Sequence, residues 1–142
     1  EGANASRFEK TYLVSSYSPS YKYLNVCIPE NENCGKCEKC MRTLLGLEAV
    51  GALEKYRLVF NIDEYLSHKN YNYAFLFKYT LKKKEDYLSI YSRLKSRINT
   101  IHKIYAVYLL CLDLVFSVGA KLVSFLPENA RNKIAKLYHK YL

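Results

Sequence analysis

The chain has 142 residues, half of them hydrophobic, and a formal net charge of +9 from 22 Lys and Arg against 13 Asp and Glu. This length allows one domain with a hydrophobic core, or a small metal-binding module joined to a helical domain. The first residues lack the basic start and apolar stretch of a secretion signal, so export is not indicated and we expect a cytoplasmic protein. The positive charge favours phosphate, an acidic protein surface or anionic lipid as a partner, without choosing among them.

The N-terminal third predicts short elements leading to a loop. Residues 6–15 predict a short helix that begins at a serine N-cap, although their β-branched and aromatic residues leave a strand open, and Ser18 with Pro19 predicts a second helix start. Residues 23–28 predict a short extended segment, which contains Cys27, the first cysteine of a cluster. Residues 29–36 are polar and rich in turn formers, and they predict a loop.

The rest of the chain predicts helices. Residues 38–56 have apolar side chains at helical spacing, with Gly51 ending or bending the helix, and residues 63–68 predict a short helix. Almost all of residues 70–125 is compatible with helix, because no proline intervenes and apolar residues recur three or four apart. A rod of that length does not suit a chain of this size, so we expect breaks near residues 82–86 or 99–102.

Residues 104–126 are the most apolar stretch, but Asp113, Gly119 and Lys121 interrupt it. An uncompensated Asp in mid-bilayer costs roughly 2.5 to 3.5 kcal/mol, so the sequence favours a buried core helix over a membrane span. In this stretch Cys111 is expected to be a buried thiol. A final basic amphipathic helix is predicted beyond Asn129, which keeps a contact with an anionic membrane surface open.

Four of the five cysteines lie within 14 residues, in the pattern Cys27-x6-Cys34-x2-Cys37-x2-Cys40. Two residues between ligands let both sulfurs reach one metal ion, and four soft sulfur ligands suit a tetrahedral Zn²⁺. Gly35 suits the turn that follows Cys34. A closed four-sulfur site has no open position for water, so we predict a structural zinc ion and no catalytic metal.

Two alternatives to zinc stay open at this point. The spacing Cys34-x2-Cys37-x2-Cys40 also suits an iron–sulfur cluster, with Cys27 as a distant fourth ligand. The ferredoxin continuation fails, however, because Leu44 stands where the next cysteine is expected. The other alternative is a set of reduced or disulfide-paired cysteines without metal. We further predict that the positive end of the following helix lowers the pKa of Cys40.

Other residues around the cluster contribute charge. Four thiolates around Zn²⁺ leave a net charge of −2, and Lys36, Lys39 and Arg42 are placed to offset it.

The five glycines lie singly, so neither a P-loop nor a dinucleotide fingerprint occurs. The three histidines are far apart in sequence and show no spacing typical of a catalytic dyad or triad. We therefore predict no catalytic residues in this chain.

Residues 24–27 (LNVC) and 33–43 (NCGKCEKCMRT) resemble the C-terminal zinc motif of PP-loop ATP pyrophosphatases, in particular the 7-cyano-7-deazaguanine synthase group and its uncharacterised relatives. The resemblance covers about residues 7–60. It implies that the four cysteines are the metal ligands and that Arg42 faces the substrate side. That family consists of α/β enzymes that adenylate a carboxylate, and its Ser-Gly-Gly-x-Asp-Ser loop for ATP phosphates does not occur here.

The resemblance implies that this chain is the C-terminal part of a longer enzyme, with an N-terminal nucleotide-binding domain as its partner. We expect a mainly α fold, with a four-cysteine zinc module in residues 1–60 and a basic helical domain in residues 61–142. Two other functions stay open. One is an independent nucleic-acid-binding zinc module, which the charge and the many Tyr–Lys neighbours favour. The other is a membrane-surface or protein-interaction helical domain.

Overall fold

The computed structural model describes residues 5–28, 32–125 and 127–128, and in these ranges the protein is helical with no strand. The α-helices, numbered α1 to α7, are Arg7–Val14, Ser20–Tyr23, Glu38–Ala49, Ile62–Ser67, Lys69–Leu81, Glu85–Leu94 and Thr100–Ser124. Short 3-10 helices cover Leu53–Tyr56 and Lys95–Arg97. The predicted mainly α fold, with a cysteine cluster followed by helices, is confirmed. The long helical stretch is broken at residues 82–84, within the first predicted range, and again at residues 95–99, which precede all but the first residue of the second range.

Local signals in the sequence fix several helix ends. At the start of α1, Ser6 and Glu9 form a capping box in which each side chain accepts a hydrogen bond from the other residue's backbone N–H. At the end of α3, Gly51 adopts a φ of +72°, which is costly for residues with a Cβ. The N–H of Ala52 then reaches the carbonyl of Leu47, so the last carbonyls of the helix are satisfied. The predicted role of Gly51 is confirmed.

The hydrophobic core surrounds α3. Its buried face packs against α1, α5 and α6, and α5 also packs against α6. The largest fully buried side chains include Tyr56, Tyr87, Leu44, Leu45, Leu47, Ile62, Leu76, Ile90 and Leu94. The half-buried cysteines 27, 34 and 37 pack against this same cluster, and Cys40 belongs to it. The cysteine cluster is therefore built onto the main core and has no separate core of its own.

A buried carboxylate ties α3 to the later helices. The Glu48 carboxylate accepts hydrogen bonds from the hydroxyl groups of Tyr65, at 2.6 Å, and Tyr73, at 2.7 Å. The guanidinium of Arg97 donates to the same carboxylate at 2.6 Å, and the Nζ of Lys69 lies 3.9 Å from it. Because the side chain of Glu48 is only 5% exposed, these donors replace the water that the charged group loses on burial.

The chain forms two compact units, Glu1–Val107 and Tyr108–Leu142. The boundary predicted at residues 60 and 61 falls inside the first unit, where α3 packs against both α5 and α6. The described part of the second unit consists of the C-terminal section of α7 and a few residues beyond it. The final basic helix predicted beyond Asn129 lies outside the described residues.

Two predictions for α7 are wrong. The stretch predicted as a buried core helix is exposed over most of its described length, and only 6% of its most apolar 18-residue window is buried. Cys111, predicted as a buried thiol, is exposed. Helix α7 has a mean hydropathy of 1.9 over that window, so by length and composition it could cross a membrane. The sequence pattern located the apolar stretch but not what surrounds it, because a core and a bilayer favour the same residues.

Candidate metal centre

The structure brings the four clustered cysteines together. The sulfur atoms of Cys27, Cys34, Cys37 and Cys40 all lie within 4.8 Å of one another. The Sγ atoms of Cys27 and Cys37 are 4.0 Å apart, and those of Cys34 and Cys40 are 3.9 Å apart. A tetrahedral ion with metal–sulfur bonds of about 2.3 Å places its ligands about 3.8 Å from one another. The four thiols therefore fit one tetrahedral metal ion.

The following helix positions two of the ligands. Cys37 is the N-cap of α3, and Cys40 lies in the first turn, as predicted. The three-residue step between them places both sulfurs on the same side of the helix start. Gly35 adopts a φ of +70°, and this left-handed turn between Cys34 and the helix confirms its predicted role.

Asn33 joins the three chain segments around the site. Its side-chain oxygen accepts a hydrogen bond from the backbone N–H of Val26 at 2.9 Å. Its side-chain nitrogen donates to the carbonyl of Leu24 at 2.7 Å and to that of Val59 at 3.0 Å. The residue before Cys34 is thus fixed against the segment that carries Cys27. Sequence reasoning missed this role, although the direct adjacency to a ligand cysteine was a signal that could have suggested it.

The surroundings shift the pKa values of Cys34 and Cys40 in opposite directions. Hydrogen bonds from the backbone N–H groups of Cys37 and Lys36 lower the pKa of Cys34 to about 7. Burial raises the pKa of Cys40, although the backbone N–H of Gly35 acts in the opposite direction. The predicted lowering of the Cys40 pKa by the helix end is therefore wrong for the metal-free thiol. Desolvation of this side chain, which is 0% exposed, is the largest cause of the raised pKa.

The three cationic residues predicted near the cluster have different surroundings. Lys36 is paired with Glu64, with 3.1 Å between its Nζ and a carboxylate oxygen. Lys39 is exposed at the start of α3. Arg42 is half-buried and donates to Asp86 of α6, 3.3 Å away. That these three cations offset the negative charge of four zinc-bound thiolates stays a prediction.

A cleft of about 320 Å³ is lined by residues of α1, α3 and α6 and by residues 24–26, and none of the four clustered cysteines lines it. Arg42 and Lys39 line it from α3, and Arg7 and Lys10 line it from α1. Asp86 is the acidic residue in the lining, and it accepts hydrogen bonds from both the Arg42 side chain and the Arg7 backbone. Four cations against one carboxylate leave a positively charged cleft, which suits an anionic group.

The chain was compared with protein-family models, with curated proteins and with solved structures, and none of them matches.

Proposed function

We propose that this chain is a structural zinc-binding domain, and that it completes and stabilises an ATP-dependent enzyme of the PP-loop type. The observation that carries the proposal is the set of four sulfurs within 4.8 Å of one another. A mononuclear tetrahedral ion fits that spacing, whereas an iron–sulfur cluster interposes several atoms between its thiolates and needs wider separation. The position of the sulfurs against the main core supports a structural role.

The sequence motif and the cleft support the link to a parent enzyme. The motif of residues 24–43 resembles the C-terminal zinc motif of that family, in which the zinc site steadies the active-site end. Arg42, the residue that the resemblance assigns to the substrate side, lines the positively charged cleft with Arg7 and Lys10. In this proposal the cleft receives an anionic group of the nucleotide-binding domain or of its substrate.

Metal content tests the zinc site directly. Elemental analysis of the purified, untagged protein should find about one zinc per chain, with no visible absorption band. Cys34→Ser should lose the zinc and cooperative unfolding together, whereas the matched control Cys111→Ser should keep both because Cys111 lies outside the cluster. Iron with a visible absorption band would show that the site holds iron and would refute the assignment to zinc, and a metal-free protein from an anaerobic preparation would refute the site.

The link to a parent enzyme has its own tests. Reading the encoding gene upstream should find Ser-Gly-Gly-x-Asp-Ser, and an open reading frame without it would refute the PP-loop assignment. If the cleft serves that enzyme, Arg42→Ala should reduce its activity at unchanged zinc content, with Arg57→Ala on the exposed surface as the matched control. Steeply salt-dependent RNA binding by the isolated chain would instead favour the independent nucleic-acid-binding module.

A further inference from the structure

We infer that residues 107–125, the C-terminal section of α7, form a membrane-spanning helix that anchors the protein in a lipid bilayer. Nothing in the proposed zinc-site function requires such an anchor, so the two proposals can fail separately.

The apolar surface of this segment extends around much of the helix. Its large exposed side chains include Leu114, Val115, Phe116, Val118, Leu122 and Phe125, each between 47% and 86% exposed. At 100° per residue, they spread over about 200° of the circumference. One partner helix covers a stripe of roughly 100°. A second copy or one docked helix would therefore leave about half of this surface in water, whereas lipid would cover all of it.

The length of the segment matches a bilayer. Ala106 is fully buried and His102 is 5% exposed, so α7 packs against the first unit up to that point. From Val107 to Phe125 the helical rise gives about 28 Å, against about 30 Å for the hydrocarbon core. The exposed section thus begins directly after the buried residues of α7, and it is long enough to span.

The charged residues within the segment are compatible with insertion. Asp113 and Lys121 are the two ionisable residues of residues 107–125 that carry charge at neutral pH, and eleven positions are Leu, Val or Phe. On insertion scales, roughly five to ten such side chains offset one Asp near the bilayer centre. Lys121 lies only four residues from the end, about 6 Å, so its amine can extend to the headgroups.

The residues flanking the segment suit the two membrane surfaces. Arg93, Lys95, Arg97 and Lys103 precede it, and Arg131, Lys133, Lys136 and Lys140 follow it in the sequence. Cationic side chains on both sides of the segment favour contact with anionic lipid headgroups. Tyr105 and Tyr108 lie at its N-terminal end, where amphipathic aromatic residues are typical of the interface.

The first test is fractionation of cells that express the full chain. The protein should stay in the membrane pellet through high salt and alkaline carbonate, and only detergent should release it. The double variant Val115→Lys with Val118→Lys should raise the amount of protein in the soluble fraction at least tenfold. The matched control, Leu13→Lys with Leu58→Lys, alters two apolar residues of the first unit that are 63% and 74% exposed, and it should stay in the pellet. Equal resistance of the first unit to limited proteolysis in all three proteins shows that this unit remains folded.

The second test distinguishes spanning from lying on the surface. In a Cys111→Ser background, Ser96→Cys and Glu128→Cys place one thiol on each side of the segment. An impermeant thiol reagent should label these two positions from opposite faces of sealed vesicles, with labelling counted above that of the Cys111→Ser parent, which keeps the four clustered cysteines. Labelling of both from one face, release by carbonate, or a soluble dimer that does not bind lipid would each overturn the inference.

Discussion

The hydrogen bonds of Asn33 predict that this side chain contributes to metal affinity without touching the metal. Asn33→Ala removes one acceptor and two donors, which bind backbone groups of three residues at 2.7 to 3.0 Å. Each such bond contributes about 1 kcal/mol net, and water compensates for part of the loss at this half-buried position. A loss of about 2 to 3 kcal/mol corresponds to zinc binding weakened by roughly 30- to 150-fold.

Competition with a chromophoric chelator measures this change directly. Glu32→Ala is the matched control, because it truncates the exposed neighbour of Asn33 in the same loop and should leave the affinity unchanged. Asn33→Asp should weaken binding at least as much as Asn33→Ala, since it keeps the acceptor for Val26 but sets a carboxylate oxygen against the carbonyl oxygens of Leu24 and Val59. A zinc affinity of Asn33→Ala within threefold of the native protein would refute the role assigned to these three hydrogen bonds.

Three further predictions concern stability and the site. Glu48→Ala leaves two buried tyrosine hydroxyls without their acceptor and should lower the free energy of unfolding by about 3 to 5 kcal/mol in urea titrations, whereas the nearly isosteric Glu48→Gln should cost less. Gly35→Ala and Gly51→Ala both place a Cβ at a φ near +70° with open space around it, so each should cost about 1 to 2 kcal/mol; only Gly35→Ala should also weaken zinc binding, and equal affinities would contradict the role of that turn. Burial and the hydrogen bond to Glu48 raise the pKa of Tyr73 to about 12, and burial raises that of Tyr65 also, while unfolded tyrosines titrate near 10. The stability from these groups is complete below about pH 10 and is lost as the pH rises further, so the melting temperature should fall there, and less steeply in Tyr73→Phe.

Local patterns were sufficient to predict much of the fold and the clustering of the four cysteines. The spacing of the cysteines predicted which sulfurs meet, because two intervening residues leave few ways to fold the chain. The serine before α1 and the glycine after α3 predicted helix ends, because capping depends on residues within one turn. The cysteine spacing and the helix caps could be predicted because each depends only on residues close together in the sequence.

The features that sequence analysis missed depend on distant partners. Glu48 meets Tyr65, Tyr73 and Arg97, which lie 17 to 49 residues away, and no local pattern indicates which of the 15 tyrosines would face it. The pKa of Cys40 was predicted in the wrong direction, because it is raised chiefly by burial, and that burial comes from core packing that the local sequence does not show. The exposure of Cys111 depends on what lies around α7, which the composition of the helix does not encode.

Cys40 is a candidate metal ligand and also a fully buried member of the hydrophobic core. With zinc bound, each tenfold rise of free zinc above the dissociation constant adds about 1.4 kcal/mol to folding. In a cell, the amount of intact protein would therefore follow the supply of free zinc, since molecules that lose the ion expose core residues to proteases. Because Cys40 belongs to both the candidate site and the core, the lifetime of the protein in the cell would depend on the concentration of free zinc.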